Sequence, residues 1–171
     1  MTKSIERTIK DQFAEFFEKK KWNIFKESAD YYFETAAKIK TTDIMFGEEN
    51  YKLLRRNVIK RLFIGIGCEL LLKAIYLKNG YCINKKKQHF EGKYPFEIES
   101  IKKNDFKDDE TLSFDQLISK LFTINNFEEQ KKAIEKGLRI SKVFRNKEGH
   151  VAINWHSYDP QNYRDIEQSI I

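Results

Sequence analysis

Leu62-Phe63-Ile64-Gly65-Ile66-Gly67-Cys68-Glu69-Leu70-Leu71-Leu72-Lys73-Ala74-Ile75-Tyr76-Leu77 is the most apolar run of the chain. Apolar residues go nearly all round it, the pattern of a buried central helix. Only Glu69 and Lys73 interrupt it, four apart on one face and acid first, the favourable order for an ion pair. The run is shorter than the ~20 residues a membrane span needs, and it carries two charges. It therefore reads as a core helix. The same helix is predicted to extend from about 49 to 78. Its first half is amphipathic and basic, with Lys52, Arg55, Arg56, Lys60 and Arg61, and Asn79-Gly80 supplies a C-terminal stop.

Helical patterning continues on both sides. Residues 5–40 contain no Gly or Pro. Ile5, Ile9, Phe13, Phe16 and Phe17 fall at helical spacing, as do Phe25, Ala29, Tyr32, Phe33 and Ala36. Downstream, Ser113-Phe114-Asp115-Gln116 has capping-box form and opens a short helix through Leu121. Asn126-Phe127-Glu128-Glu129 opens another through Arg145, with Ala133, Ile134, Leu138, Ile140 and Phe144 as its buried stripe. Asp159-Pro160 starts a last helix, Asp as N-cap and Pro at the first helical position. Residues 80–113 form a long polar connection, with short strands expected around 94–101 and basic residues at Lys85, Lys86 and Lys87. His89 reads as an exposed loop residue. The fold class is all-α, about five to six helices in a bundle, in one domain over 1–171.

Composition bounds the function. The 171 residues are 40% hydrophobic and 14% aromatic, so the chain can build a core. The two cysteines, Cys68 and Cys82, make no disulfide framework, and Cys68 in its apolar run is expected to be a buried thiol. A reducing cytoplasm is the natural compartment. The net charge of +6 is uneven: residues 51–107 carry 14 Lys/Arg against five Asp/Glu, an excess of +9. That suits a polyanionic partner. Lys52, Arg55, Arg56, Lys85, Lys86 and Lys87 are the candidate RNA-phosphate contacts. No Walker loop, Gly-x-Gly-x-x-Gly, Cys-x-x-Cys or His-Glu-x-x-His occurs. No metal or cofactor is expected.

The chemistry gathers in Phe144-Arg145-Asn146-Lys147-Glu148-Gly149-His150. Arginine is a fixed cation whose planar fork fits a phosphate. Histidine moves protons near neutral pH. RNA carries its own nucleophile, the 2′-hydroxyl. Its cleavage needs a base, an acid and a cation, and needs no metal. His150 suits base or acid, Arg145 the phosphate, and Asn146 substrate or imidazole orientation. On an ideal helix, residues five apart lie ~140° apart, so irregular geometry is expected at Gly149.

The Arg-Asn-x-x-x-His stretch resembles the Arg-x4–6-His signature of the HEPN superfamily, all-α domains that include many RNA-cleaving toxins and defence nucleases. Gly67-Cys68-Glu69-Leu70-Leu71-Leu72-Lys73-Ala74 resembles the second helix of many HEPN domains, where a glutamate and a lysine recur in an aliphatic run. The resemblance spans roughly 55–171; the first 50 residues match only as generic helix. It implies a metal-independent endoribonuclease with Arg145, Asn146 and His150 catalytic and Glu69 and Lys73 supporting. It also implies a toxin–antitoxin or antiviral defence setting, with RNA, a homodimer partner and an antitoxin or larger defence complex as the partners. Ala152 departs from the pattern of HEPN toxins paired with a minimal nucleotidyltransferase, which often carry a tyrosine two residues after the histidine. The alternative is a catalytically silent HEPN-like dimerisation or binding module. Arg145 tied to a buried carboxylate, with His150 packed away, is the geometry that would favour it.

Overall fold

The structure, a computed structural model, describes residues 22–39, 51–124 and 130–148. These are mostly helical, with one small antiparallel sheet. Four α-helices occur among them: α1 (Trp22–Lys38), α2 (Tyr51–Lys78), α3 (Phe114–Ile124) and α4 (Lys131–Val143). A π-helical turn, Phe144–Glu148, continues α4. The strands β1 (Asn84–Lys86) and β2 (Phe106–Thr111) lie between α2 and α3. The expected helices over 5–21 and after Asp159 lie outside the described residues. The chain divides into two compact units, Met1–Glu27 with Leu70–Phe127, and Ser28–Glu69 with Glu128–Ile171.

The apolar run folds as its pattern requires. No residue from Lys60 to Leu77 is exposed, and Ile64, Cys68, Leu72, Ala74, Tyr76 and Leu77 are buried. The helix stops at Asn79-Gly80 through two hydrogen bonds: Gly80 N–H donates to the Leu77 carbonyl (3.0 Å) and Tyr81 N–H to that of Tyr76 (2.9 Å). That is a Schellman closure, and Gly80 makes it possible with φ of +80°. No helix among the described residues is long and apolar enough to cross a membrane.

Within the unit holding Ser28–Glu69, α1 lies on α2 through aromatic contacts. Tyr32 meets Phe63 edge to face at 5.5 Å. The Phe33 ring comes so near Gly67 that a Cβ there would stand 2.9 Å from it. Ala29 and Ala36 are buried, the small residues that let the helices close.

In the other unit, α3 begins at the expected capping box: Ser113 N–H donates to Gln116 Oε1 (2.9 Å), and Gln116 N–H returns to Ser113 Oγ (3.3 Å). The helix runs to Ile124, one turn beyond the expected end. The Tyr76 hydroxyl donates to the Leu117 carbonyl (2.8 Å), tying α2 to α3.

The 80–113 segment differs from the open polar connection expected. It folds on Cys82 and Phe106, packed by Phe90, Tyr94, Phe96, Ile98 and Ile101. Phe96 stands 4.7 Å from Tyr94 and 5.4 Å from both Phe90 and Phe106, all tilted or edge-on. Its strands are not at 94–101, where there is a single bridge, Tyr81 to Glu97, and a short 3-10 turn. They are at Asn84–Lys86 and Phe106–Thr111, antiparallel, with a register shift between Asn84↔Thr111 and Lys86↔Phe106. Both read as polar in sequence. Cross-strand charge pairing and buried Asn84, whose side-chain amide donates to the Lys107 carbonyl (2.8 Å), hold them instead of apolar alternation.

The buried stripe expected on α4 is also revised. Phe144 is buried, but Ile134, Leu138 and Ile140 are half-buried and Ala133 is exposed. The fully buried α4 residue is Ser141. A small polar residue is favoured there because α2 comes within backbone contact at that turn.

Candidate functional site

Arg61, Gly65, Cys68 and Glu69 fall at i, i+4, i+7 and i+8, one face of α2. That face meets the end of α4. Gly65 marks the closest approach: a Cβ there would stand 2.6 Å from the Arg145 amide nitrogen, 2.6 Å from the Ser141 carbonyl oxygen and 2.7 Å from Arg145 Cβ. Only glycine lets α4 seat its last turn so near α2.

The neighbouring residues fix the seam. The Cys68 thiol donates to Ser141 Oγ (3.2 Å), and the Ser141 hydroxyl donates to the Gly137 carbonyl (2.9 Å). Burial pushes the Cys68 thiol above its ordinary pKa, and the Ser141 hydrogen bond pulls it partly back. It is a packed, protonated group rather than a nucleophile. On the other side of Gly65 the Arg61 guanidinium carbon lies 5.8 Å from the centroid of the buried Phe144 ring, within cation–π range.

This packing delivers Arg145 to Glu69. Arg145 Nε and Glu69 Oε2 are 3.0 Å apart, although 76 positions separate them in sequence. The carboxylate side chain is only 12% exposed, while that of Arg145 is 47% exposed. A largely buried anion thus holds one edge of the guanidinium, and the rest of the side chain reaches solvent. Arg145 Nη1 also donates to Asn146 Oδ1 (3.0 Å). The amide oxygen of Asn146, expected to orient substrate or imidazole, is engaged with the arginine.

The irregular geometry expected at Gly149 falls outside the described residues. Among those described, α4 gives way to a π turn at Phe144, whose N–H is shared between the Ile140 and Ser141 carbonyls. Such single π turns gather at functional sites.

Of the residues singled out from sequence, Arg145, Asn146 and Glu69 are brought together. Lys73 follows Glu69 by one turn of α2 and is half-buried. His150 lies outside the described residues. Lys52, Arg55 and Arg56 are on the first turns of α2, and their side chains lie outside the described residues. Lys85 Nζ pairs with Glu110 at 3.0 Å, and Lys86 Nζ donates to the Gly92 carbonyl (2.9 Å). Lys87 is held through its backbone N–H, on the Asp105 carbonyl (2.8 Å). His89 is exposed, 3.6 Å from Asp105. Among the described residues no group of three or more His, Cys, Asp or Glu is placed to hold a metal ion. Sequence reasoning passed over Gly65, Ser141 and the site-facing position of Arg61. A glycine inside an apolar helix was the available signal for the first.

Comparison with protein families, with curated proteins and with solved structures finds no match to this chain.

Proposed function

We propose that the chain is a metal-independent endoribonuclease of the HEPN type, working as a homodimer in a toxin–antitoxin or antiviral defence setting with an antitoxin or larger complex as its regulator. The observation that carries this reading is the convergence of Glu69 and Arg145 at a π turn. The two sequence elements that resemble HEPN domains, the Glu69 helix and the Arg145 stretch, meet through the pair of residues singled out in each.

In this mechanism Arg145 holds the scissile phosphate and stabilises the charge that develops on it. Glu69 positions the guanidinium by gripping Nε, so less freedom is lost when the phosphate arrives. His150 takes the 2′-hydroxyl proton or gives one to the leaving oxygen. A second copy on a two-fold axis would supply a second imidazole, one acting as base and the other as acid.

The same ion pair favours a second reading, a catalytically silent binding module, since Arg145 is committed to a largely buried carboxylate. Cleavage separates the two. Purified chain incubated with total RNA in EDTA should yield products ending in 2′,3′-cyclic phosphate, and Arg145→Ala and His150→Ala should each abolish them. Intact RNA at high concentrations of a protein free of any co-purified inhibitor would leave the binding module as the correct reading.

A further inference from the structure

The basic character of α4 is hidden in the sequence, because residues 108–171 carry nine Lys/Arg against 11 Asp/Glu. Within the helix, Lys131, Lys132, Lys136, Arg139 and Lys142 stand against Glu135 alone. Lys132, Lys136 and Arg139 fall at i, i+4 and i+7, one face of the helix, and all three are exposed. Lys132 lies about 180° round the helix from buried Ser141, so this face points away from the seam with α2. The one acid of α4 is already engaged: Glu135 Oε1 accepts from Arg139 Nε (3.0 Å) and Nη2 (2.6 Å). Lys132 and Lys136 have no ion-pair partner among the described residues. Like charges four apart on a helix repel, so this pair costs the folded chain something that a bound anion would relieve.

The face suits a nucleic-acid backbone better than an acidic protein. Protein interfaces centre on aromatic or arginine anchors buried in pockets, whereas α4 holds no aromatic residue and its arginine is paired. The exposed apolar residues beside the lysines are Ala133 and Val143, too small to serve as such anchors. A phosphate backbone requires only cations in series, and Lys132 and Lys136 stand about 6 Å apart along the helix axis. The helix then runs directly into the π turn that carries Arg145, roughly 13 Å beyond Lys136. We propose that Lys132 and Lys136 bind backbone phosphates of an RNA strand outside the cleavage site, on the length that flanks the phosphate held by Arg145. The choice of RNA as the polyanion rests on the ribonuclease reading.

The test is fluorescence anisotropy of the full chain with a 2′-O-methylated single-stranded oligoribonucleotide, which lacks the 2′-hydroxyl nucleophile, over a series of salt concentrations. The double variant Lys132→Gln/Lys136→Gln removes both charges, and glutamine matches lysine closely in helix propensity, so α4 is kept. It should flatten the slope of log K against log salt by about 1.4, twice the 0.7 that one phosphate contact contributes on a single strand. Lys93→Gln/Lys102→Gln is the control: it removes the same charge from two exposed lysines of the 80–113 segment and should leave the slope unchanged. An unchanged slope in the α4 variant overturns the proposal, and is the result expected if this face serves an acidic protein instead. Equal flattening in the control also overturns it, since net charge alone would then explain the effect. Cleavage of unmodified RNA is read separately. There the α4 variant should raise KM and leave kcat unchanged, because its contacts are made equally before and in the transition state. Binding with the α4 effect but no cleavage by the wild-type chain defeats the ribonuclease reading alone. Cleavage with no α4 effect on the slope defeats this proposal alone. A wild-type chain that does not bind the oligonucleotide defeats both.

Discussion

Replacing Gly65 by alanine probes the seam on which the site depends. The added methyl would meet the Arg145 amide nitrogen and the Ser141 carbonyl oxygen at 2.6 Å and Arg145 Cβ at 2.7 Å. Ordinary contact begins near 3.4 Å, so α4 must retreat by roughly 0.8 Å. None of these atoms belongs to a flexible side-chain tip that could swing aside. Overpacking of this kind costs about 1–3 kcal/mol. Alanine's better helix propensity returns about 1 kcal/mol, so a net loss of about 1 kcal/mol is expected, with 2 as the upper bound. For a chain of this size each kcal/mol is worth about 2–4 °C in Tm, which gives a fall of roughly 2–8 °C. Urea titration should show a lower midpoint at unchanged m. On the proposed ribonuclease reading, displacing Arg145 by nearly 1 Å should cost on the order of a hundredfold in RNA cleavage, far more than the stability loss explains. Gly67→Ala is the control: its nearest contacts would be with one side of the Phe33 ring, at 2.9–3.2 Å, a side chain that can tilt rather than backbone. A Gly65→Ala chain as stable and as active as wild type would refute the close approach and the site built on it.

Two further predictions concern the 80–113 segment and the thiols. Hydrogen bonds from Lys107 and Lys85 hold the Glu110 carboxyl below its usual pKa. Its contribution to the strand pair is therefore present above the unfolded value near 4.3 and lost as pH falls through the lower folded value. Amide exchange across β1 and β2 should accelerate in that acid range, and Lys85→Met should shrink the effect; identical profiles in the two proteins would count against the pairing. Burial pushes the Cys82 thiol up to about 12, and Cys68 is also raised. Both should react with a thiol reagent at pH 8 far more slowly in the native chain than in denaturant, so a native thiol reacting at the free-cysteine rate would contradict their burial.

The helices were legible in proportion to how much their own side chains decide. The capping box at Ser113 and the stop at Asn79-Gly80 are local chemistry, and each appears where the residues put it. The central helix was legible because apolar residues on every side leave it no alternative but burial. The strands were hidden because Phe106–Thr111 is mostly charged. What holds it is a partner elsewhere in the chain: Glu110 takes Lys85 from β1 and Lys107 from its own strand. The same pairing bears on the lysine run. A count of charge by segment credits Lys85 to an excess of +9, but Glu110, its counter-charge, falls in the next segment, which totals −2. Charge summed along the sequence is not charge summed in space.

At the candidate site, the sequence supplied the residues but not the contact that brings them together. Arg145, Asn146 and Glu69 could each be named from residue type and spacing. That Gly65 brings Glu69 and Arg145 together could not, because a glycine's effect on packing is set by what lies opposite. Here the missing methyl lies against Arg145 N and Ser141 O at once. In an unbroken α-helix these would be donor and acceptor of one i→i−4 rung. The π turn that opens at Phe144 includes Arg145, the donor end of that rung. The π turn thus begins where α2 presses on the end of α4.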